Sequence, residues 1–489
     1  MDSERKNGAG MVVDAVFALG VLATTYLYVS LFRGALIDDT YIYLNYARSL
    51  LETGTWGFYP GHPNNTATSP LMVVLLTAAG LLTSGDMVEA VVVLCTVVFT
   101  LLFVTLLLIS RRLFGQSYFA WLAFILVASN PLIMSTIGME SLLYVLLLAV
   151  VLALFLQGSS IWLGIALGLL ALTRPDGVLM LLVVLVGVTL DVTRNGSVRI
   201  ELQPNSLRRA VTIGAAFALT VLPYAVFALV EFQSVLPRTL GIKTKQGSWG
   251  PWRYQNGFEL FMGKFPVAAA LAFAVIPFGL ASFLHRRLDL VLRAILLIAA
   301  FGVIHFAGYA YLRVPPYHWY YVPVLTACIL AGALGVASVF RARSAAWIRL
   351  PLLMLPVLFA GGTAYLLQQD GYRPTEAPIH TNWAEPGTYR EIGQWLNQNL
   401  SNEDRVRLTG EVGTLGFYAR RQLLDVFSCR TDCGAPWQYH LDMRDNRNEK
   451  GTPADVVRRW NISTRWVPAG EVLLRKLPVR PALPHGAAP

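Results

Sequence analysis

Apolar runs of about 20 residues, the length that crosses the hydrocarbon of a bilayer, recur along most of this chain and decide what it can fold into. They fall near residues 11–32, 88–110, 117–137, 141–157, 160–173, 178–190, 211–231, 265–284, 290–311, 319–339 and 350–367. In lipid, every backbone N–H and C=O must be satisfied within the spanning structure, which leaves helices or closed barrels. The ten-residue alternation of a barrel strand is absent. The expected fold class is therefore a polytopic α-helical membrane protein with about 11 transmembrane helices. A charged fraction of 14% fits this, against about 25% in ordinary globular domains. The first apolar stretch is too long for a signal peptide and has no clear cleavage site after it, so it reads as a retained first helix. Residues 69–83, SPLMVVLLTAAGLLT, are apolar but short, and fit an interfacial or re-entrant helix better than a span.

The positive-inside rule orients these spans. With Arg5 and Lys6 in the cytoplasm, the inside loops hold Arg111 and Arg112; Arg194, Arg199, Arg208 and Arg209; Arg286 and Arg287; and Arg341, Arg343 and Arg349. Counting 69–83 as a full span would move all these later clusters outside. The net charge of +10 then reflects basic cytoplasmic loops and cations facing a phosphate-bearing lipid, with no nucleic acid implied.

Composition changes near residue 368. The division expected is a transmembrane domain over 1–367, with a first external loop at 33–87, and a soluble extracytoplasmic α/β domain over 368–489. PGTYREIGQWLNQNL reads as a helix with Ile392, Trp395, Leu396 and Leu400 at helical spacing. RVRLTG and QLLDVF read as strands flanking a Gly-rich loop, PADVVRRWN as a second helix and TRWVPAG as another strand. Cys95 and Cys328 lie in apolar spans and read as core. Cys429 and Cys433 lie in the external domain, where an oxidising compartment permits a disulfide.

Charged and aromatic residues gather on the external face. The first external loop contains LIDDTYIYLNYARSLLETGTWGFYPGHPNNTATSPL, residues 36–71. It supplies Asp38, Asp39, Tyr41, Tyr43 and Arg48. Later external loops supply Glu140; Arg174 and Asp176; Arg238, Lys243 and Lys245; and Arg313, His318 and Tyr320. Ionisable groups at the edge of lipid are costly, so they mark function or pair with one another. The acids can serve as a general base toward a sugar hydroxyl. Arg174, Lys243, Lys245 and Arg313 can meet a departing phosphate. Tyr41, Arg48, Glu140, Arg238, His318 and Tyr320 are candidate substrate contacts. Each has a plainer alternative: a helix cap for the acids and for Glu140, an ion pair around Pro175 for Arg174 and Asp176, solvated charge for the lysines, and an aromatic interfacial belt for residues 317–321.

The stretch DDTYIYLNYARSLLETGTWGFYPG, followed by ATSPL, resembles a signature of the GT-C fold, that of membrane glycosyltransferases taking sugars from polyprenyl-phosphate donors. RRLFG, GMESLL, LTRPDG, LPRTLGIKTK and HWYYVPVL agree with it. YREIGQWL and GEVGTLGFYARRQLLDV resemble a bacterial branch related to the arabinofuranosyltransferases, which includes mycobacterial terminal arabinofuranosyltransferases and pilin arabinosyltransferases. The resemblance implies an inverting transfer of a sugar, D-arabinofuranose in that branch. The donor would be a decaprenyl-phosphate-type lipid, and the acceptor a surface glycan or pilin outside a bacterial inner membrane. It makes Asp38 the first choice for the base and Asp39 the second. Two departures stand out: ATSPL lacks a lysine that relatives carry, and Arg238 replaces an Asn. A divalent ion could assist the acids, though no ligand spacing demands one. A GT-C transferase for mannose or another sugar is an alternative. A flippase or transporter fits less well, since inverted repeats and mid-membrane charges are not evident.

Overall fold

The computed structural model describes residues 19–192, 198–200, 204–237, 239, 243, 247–287, 289–342, 346–369, 371, 374–382, 385–400, 406–408, 412–421, 423–425, 439–442 and 473–476. Arg238, Lys245, Cys429 and Cys433, together with the expected PADVVRRWN helix and TRWVPAG strand, lie outside the described residues.

Helix α1 (Leu19–Ser30) leads into α2 (Asp38–Thr53), α3 (Pro70–Leu82), α4 (Met87–Phe114), α5 (Tyr118–Ala128), α6 (Pro131–Met134), α7 (Ser141–Gln157), α8 (Ser160–Thr173), α9 (Val178–Thr189) and α10 (Pro204–Phe232). After these come α11 (Gly257–Lys264), α12 (Pro266–Phe273), α13 (Val275–Gly279), α14 (Leu290–Leu312), α15 (Val322–Ala342) and α16 (Ala346–Gln369). Among the described residues, six segments are long and apolar enough to cross a membrane: Met87–Phe114, Asn205–Phe232, Pro266–Leu284, Leu290–Leu312, His318–Ala342 and Arg349–Gln369. Shorter apolar helices pack among them, giving a multi-pass membrane protein. The layering shows in burial. The span at 318–342 is 78% enclosed, whereas those at 205–232 and 349–369 are 17% and 11% enclosed and turn apolar side chains outward.

Two spans depart from the sequence expectation. The run at 117–137 is broken after Ala128, because Asn130 turns its side chain to cap the next helix and donates to the carbonyl of Ala272 at 2.9 Å. The run at 265–284 is divided into α12, α13 and a 3-10 turn, Leu280–Leu284. Helix α3 has 13 residues, about 20 Å of rise, short of the roughly 30 Å of hydrocarbon. It is one of six shorter apolar helices of 10–17 residues among the described residues.

At one pole, basic side chains close helix ends. Arg112 donates to the carbonyl of Leu156 at 3.0 Å, and Arg341 to that of Leu113 at 2.8 Å. His285 meets Ser338 at 3.0 Å. Cations at helix C-termini complement the helix dipole, so these charges are used structurally. The other pole carries α2, the start of α7, the end of α8 and the start of α15.

The C-terminal region holds α17 (Pro386–Asn399), β3 (Val406–Leu408), α18 (Val412–Ala419), β4 (Leu423–Asp425), β5 (Tyr439–Asp442) and β6 (Leu473–Lys476). An earlier ribbon pairs β1 (Leu190–Val192) with β2 (Val198–Ile200). The strands after α17 form a sheet of order β4-β3-β5-β6, with β3 parallel to β4 and β5, and β6 antiparallel to β5. Ile392 and Leu396 of α17 and Leu400 just past its end are buried, while Trp395 is half-buried. The expected Gly-rich loop between the strands is instead a helix, α18. Gly413 and Gly416 do not break it, because both sit where it presses on α2 and the first loop. A methyl on Gly413 would collide with the backbone carbonyl of Asp38, and one on Gly416 would lie 2.8 Å from the Phe58 ring.

Candidate active site

Helix α2 has two working faces. Residues 38, 41, 45 and 48 recur at the three- and four-residue steps of one helical stripe, and this stripe faces α18. The Asp38 carboxylate accepts from the backbone N–H groups of Gly413 at 3.1 Å and Thr414 at 2.7 Å. Asn45 donates to the Gly413 carbonyl at 3.0 Å. Arg48 donates to the Phe417 carbonyl at 2.8 Å and to Asn45 Oδ1 at 2.7 Å, and lies over the Phe417 ring. Tyr41 packs on Phe417 and Tyr418. Burial pushes the Asp38 carboxyl up to about 7; the two N–H bonds restrain the rise, and the neighbouring Asp39 charge adds to it. Tyr41 and Arg48, expected as substrate contacts, both pack against α18.

Asp39 and Tyr43, one turn apart, point elsewhere. Tyr43 donates to Glu140 Oε2 at 2.8 Å, and with its one proton so used it accepts from Thr68 Oγ1 at 2.8 Å. Glu140 Oε1 meets Arg174 Nη1 at 3.1 Å. Arg174 also forks onto Asp176, with Nε at 3.1 Å and Nη2 at 2.9 Å from Oδ2, and donates to the Tyr309 hydroxyl at 2.9 Å. His305 Nε2 lies 3.2 Å from the same Asp176 oxygen. The Arg174, Glu140 and Asp176 side chains are 5%, 3% and 9% exposed. This is a closed network of buried ion pairs and hydrogen bonds. It matches the ion-pair alternative for Arg174 and Asp176 and adds Glu140 to it.

Beside the network stands a more open pair. Lys243 Nζ lies 3.7 Å from Asp39 Oδ1, with side chains 19% and 30% exposed. The ammonium is boxed by the rings of Tyr317, Trp319 and Tyr320, at 4.7, 5.0 and 5.7 Å from their centroids. Burial alone would lower the Lys243 pKa; Tyr320, Asp39 and the other groups around it outweigh that and push it up. Tyr320 also lies 5.5 Å from the Arg174 guanidinium, so one ring joins the open pair to the closed network. The aromatic run that could have been only an interfacial belt thus forms a cation box.

The remaining expected contacts lie apart. His318 is buried against Phe261 and Trp319, and its ring nitrogens have no partner among the described residues. Arg313 is exposed at the end of α14 with a left-handed backbone, φ 52°. Among the described residues, no group of three His, Cys, Asp or Glu is placed to hold a metal ion. Tyr43, which the sequence places in the external loop without a role, and Thr68 join the network around Glu140. The four-residue step from Asp39 to Tyr43 was the available signal.

No family model matches this chain, and no curated protein matches it. Solved structures do. ArnT from Cupriavidus metallidurans, bound to undecaprenyl phosphate, is similar at 15% identity and a TM-score of 0.56, over 94% of this chain and 97% of that one. The apo oligosaccharyltransferase of Archaeoglobus fulgidus is similar at 15% identity and a TM-score of 0.54, over 84% of this chain and 65% of that one. This chain therefore spans just under two thirds of the archaeal enzyme. Both are membrane glycosyltransferases of the GT-C fold, and that is the fold of this chain.

Proposed function

We propose that this protein is a membrane glycosyltransferase that moves a sugar from a polyprenyl-phosphate donor to an acceptor hydroxyl outside the cytoplasm. The observation that carries this is the partly exposed Asp39–Lys243 pair, an open acid–base pair beside a network of buried charges that are paired with one another. Asp39 takes the proton of the acceptor hydroxyl. That oxygen attacks the anomeric carbon, and the bond from carbon to phosphate oxygen breaks with its electrons leaving on the polyprenyl phosphate. Protonation of Asp39 frees Lys243 from its counter-ion as negative charge develops on the phosphate, so the local charge stays balanced. The attack from the face opposite the leaving group inverts the anomeric centre. Asp39, the second choice from sequence, is preferred here because Asp38 is enclosed and both its oxygens are engaged.

ArnT was solved with undecaprenyl phosphate, which supports a polyprenyl-phosphate donor. The motif resemblance favours D-arabinofuranose as the sugar and a pilin or surface glycan as acceptor. The site would face the periplasm of a bacterial inner membrane, opposite the arginine-rich pole, with residues from about 368 as a cap over it. The test is turnover of synthetic polyprenyl-phosphoryl arabinofuranose by purified protein in lipid nanodiscs with a surface-glycan oligosaccharide as acceptor, and the mannose donor in parallel. Wild type should release polyprenyl phosphate from the arabinose donor. Lys243→Met, which keeps the aromatic box filled, should slow release by about 10²–10³-fold. Consumption of the mannose donor alone would reassign the sugar. Consumption of neither, or full activity in Asp39→Asn, would end this reading.

A further inference from the structure

The first N–H groups of a helix have no intrahelical partner and are normally met by the side chain just before it. Helix α18 is met differently. Its second and third residues, Gly413 and Thr414, donate to Asp38, 375 and 376 positions away in the chain. Asp38 stands where a local capping side chain would. The same stripe of α2 supplies Asn45 to the Gly413 carbonyl and Arg48 to the Phe417 carbonyl, so both ends of the short helix are held by one face of α2. The backbone contact between Gly413 and Asp38 leaves no room for a methyl. The first loop adds a further hold, with Tyr59 accepting from the Leu423 N–H at 3.0 Å.

We propose that Asp38 is a positioning residue: it caps α18 from another element, and this docking fixes the rotation of α2 that presents Asp39 to Lys243. The proposal rests on Asp39 as the reacting acid. Consecutive residues on a helix are about 100° apart. Once the 38/41/45/48 stripe is locked on α18, the direction of Asp39 follows. The C-terminal region thereby becomes part of the active-site scaffold, in contact with the helix that carries the base.

The experiment uses the full chain in nanodiscs and reads two things: amide hydrogen exchange in 36–53 and 412–419, and turnover of synthetic polyprenyl-phosphoryl arabinofuranose or mannose. Asp38→Asn and, independently, Gly413→Ala should each speed exchange in both segments by about 10- to 100-fold, the cost of leaving a buried N–H without its acceptor. Each should slow turnover by a similar factor, as a misplacement of about 1 Å does. The double variant should be no worse than either single one, since both undo the same docking. Asp39→Asn should stop turnover with exchange at the wild-type rate. The proposal is overturned if Asp38→Asn stops turnover while both segments keep wild-type exchange, which would make Asp38 the reacting acid. It is equally overturned if 412–419 loosens and 36–53 does not. Activity in Asp39→Asn would instead remove the Asp39 reading, while the exchange data would still decide whether Asp38 holds α18.

Discussion

Two faces of one helix carry the two acids that stand side by side in the sequence. The face through Asp38, Tyr41, Asn45 and Arg48 is closed against α18, and its polar groups meet backbone amides and carbonyls. The face through Asp39 and Tyr43 turns toward Lys243 and Glu140, and Asp39 stays 30% exposed. Neighbouring carboxylates of equal chemistry thus receive different surroundings. A carboxylate that accepts two backbone N–H bonds holds structure. One facing a single ammonium at 3.7 Å can take a proton and let that ammonium go.

The largest effect should come from Asp39. Asp39→Asn keeps the shape and removes the proton acceptor, so turnover should drop by about 10²–10⁴-fold with no change in melting temperature. Equal losses of turnover in Asp38→Asn and Asp39→Asn, with equal stability, would erase the distinction between the faces.

Arg174 sharpens the same contrast from the closed side. Arg174→Leu would leave Glu140 and Asp176 buried without a counter-ion, a loss on the order of 3–5 kcal/mol. The expected reading is a clear fall in the melting temperature of the purified protein. Arg174→Lys should recover part of it, because an ammonium cannot fork onto Asp176 while also meeting Glu140 and Tyr309. An Arg174→Leu protein as stable as wild type, but unable to turn over donor, would move Arg174 from scaffold to substrate contact.

Asp38 gives a third test through pH. Its carboxyl is pushed up to about 7 by burial, against about 3.9 in an unfolded chain. Between those values the folded protein keeps a proton that the unfolded chain has released. The stabilisation from this group is therefore full below pH ~4 and is lost as pH rises through ~7. It amounts to on the order of 4 kcal/mol at most. Relative to Asp38→Asn, the wild-type melting temperature should decline between pH 4 and 7 and run parallel above about 8. Parallel curves throughout would mean that Asp38 is ionised across the whole range.

The spans were legible because lipid imposes a length and a composition, and residues 88–110 and 290–311 lie within helices 87–114 and 290–312. The breaks at Asn130 and after Phe273 do not show in apolar run length alone, although Asn130-Pro131 is a local cap-and-proline start for the next helix. Gathering Asp39, Glu140, Arg174, Lys243 and Tyr320 at one pole followed from topology. Their division into closed network and open pair did not, because it depends on which side chains meet across four helices and a loop. The helical step that separates 38/41/45/48 from 39/43 was present in the sequence. Two adjacent acids on a helix point about 100° apart, so the pair is two directions. Likewise the glycines of GEVGTLG suggest a loop, whereas two of them, Gly413 and Gly416, are the places where α18 touches its neighbours.

The smallest effect belongs to Arg313. Its sequence position among external cations suggested a phosphate contact, yet it is exposed at the C-terminal end of α14 with φ 52°. A left-handed backbone costs a non-glycine residue on the order of 1 kcal/mol, and glycine is the residue that ends helices this way without that cost. Arg313→Gly should therefore raise stability by up to about 1 kcal/mol. It should leave donor turnover within about twofold, since no described contact ties Arg313 to Asp39 or Lys243. Stability measured as melting temperature and turnover at low donor concentration read the two effects separately. A rise in KM for the donor would bring Arg313 into the site when substrate is bound, and would show that the open face extends past the aromatic box.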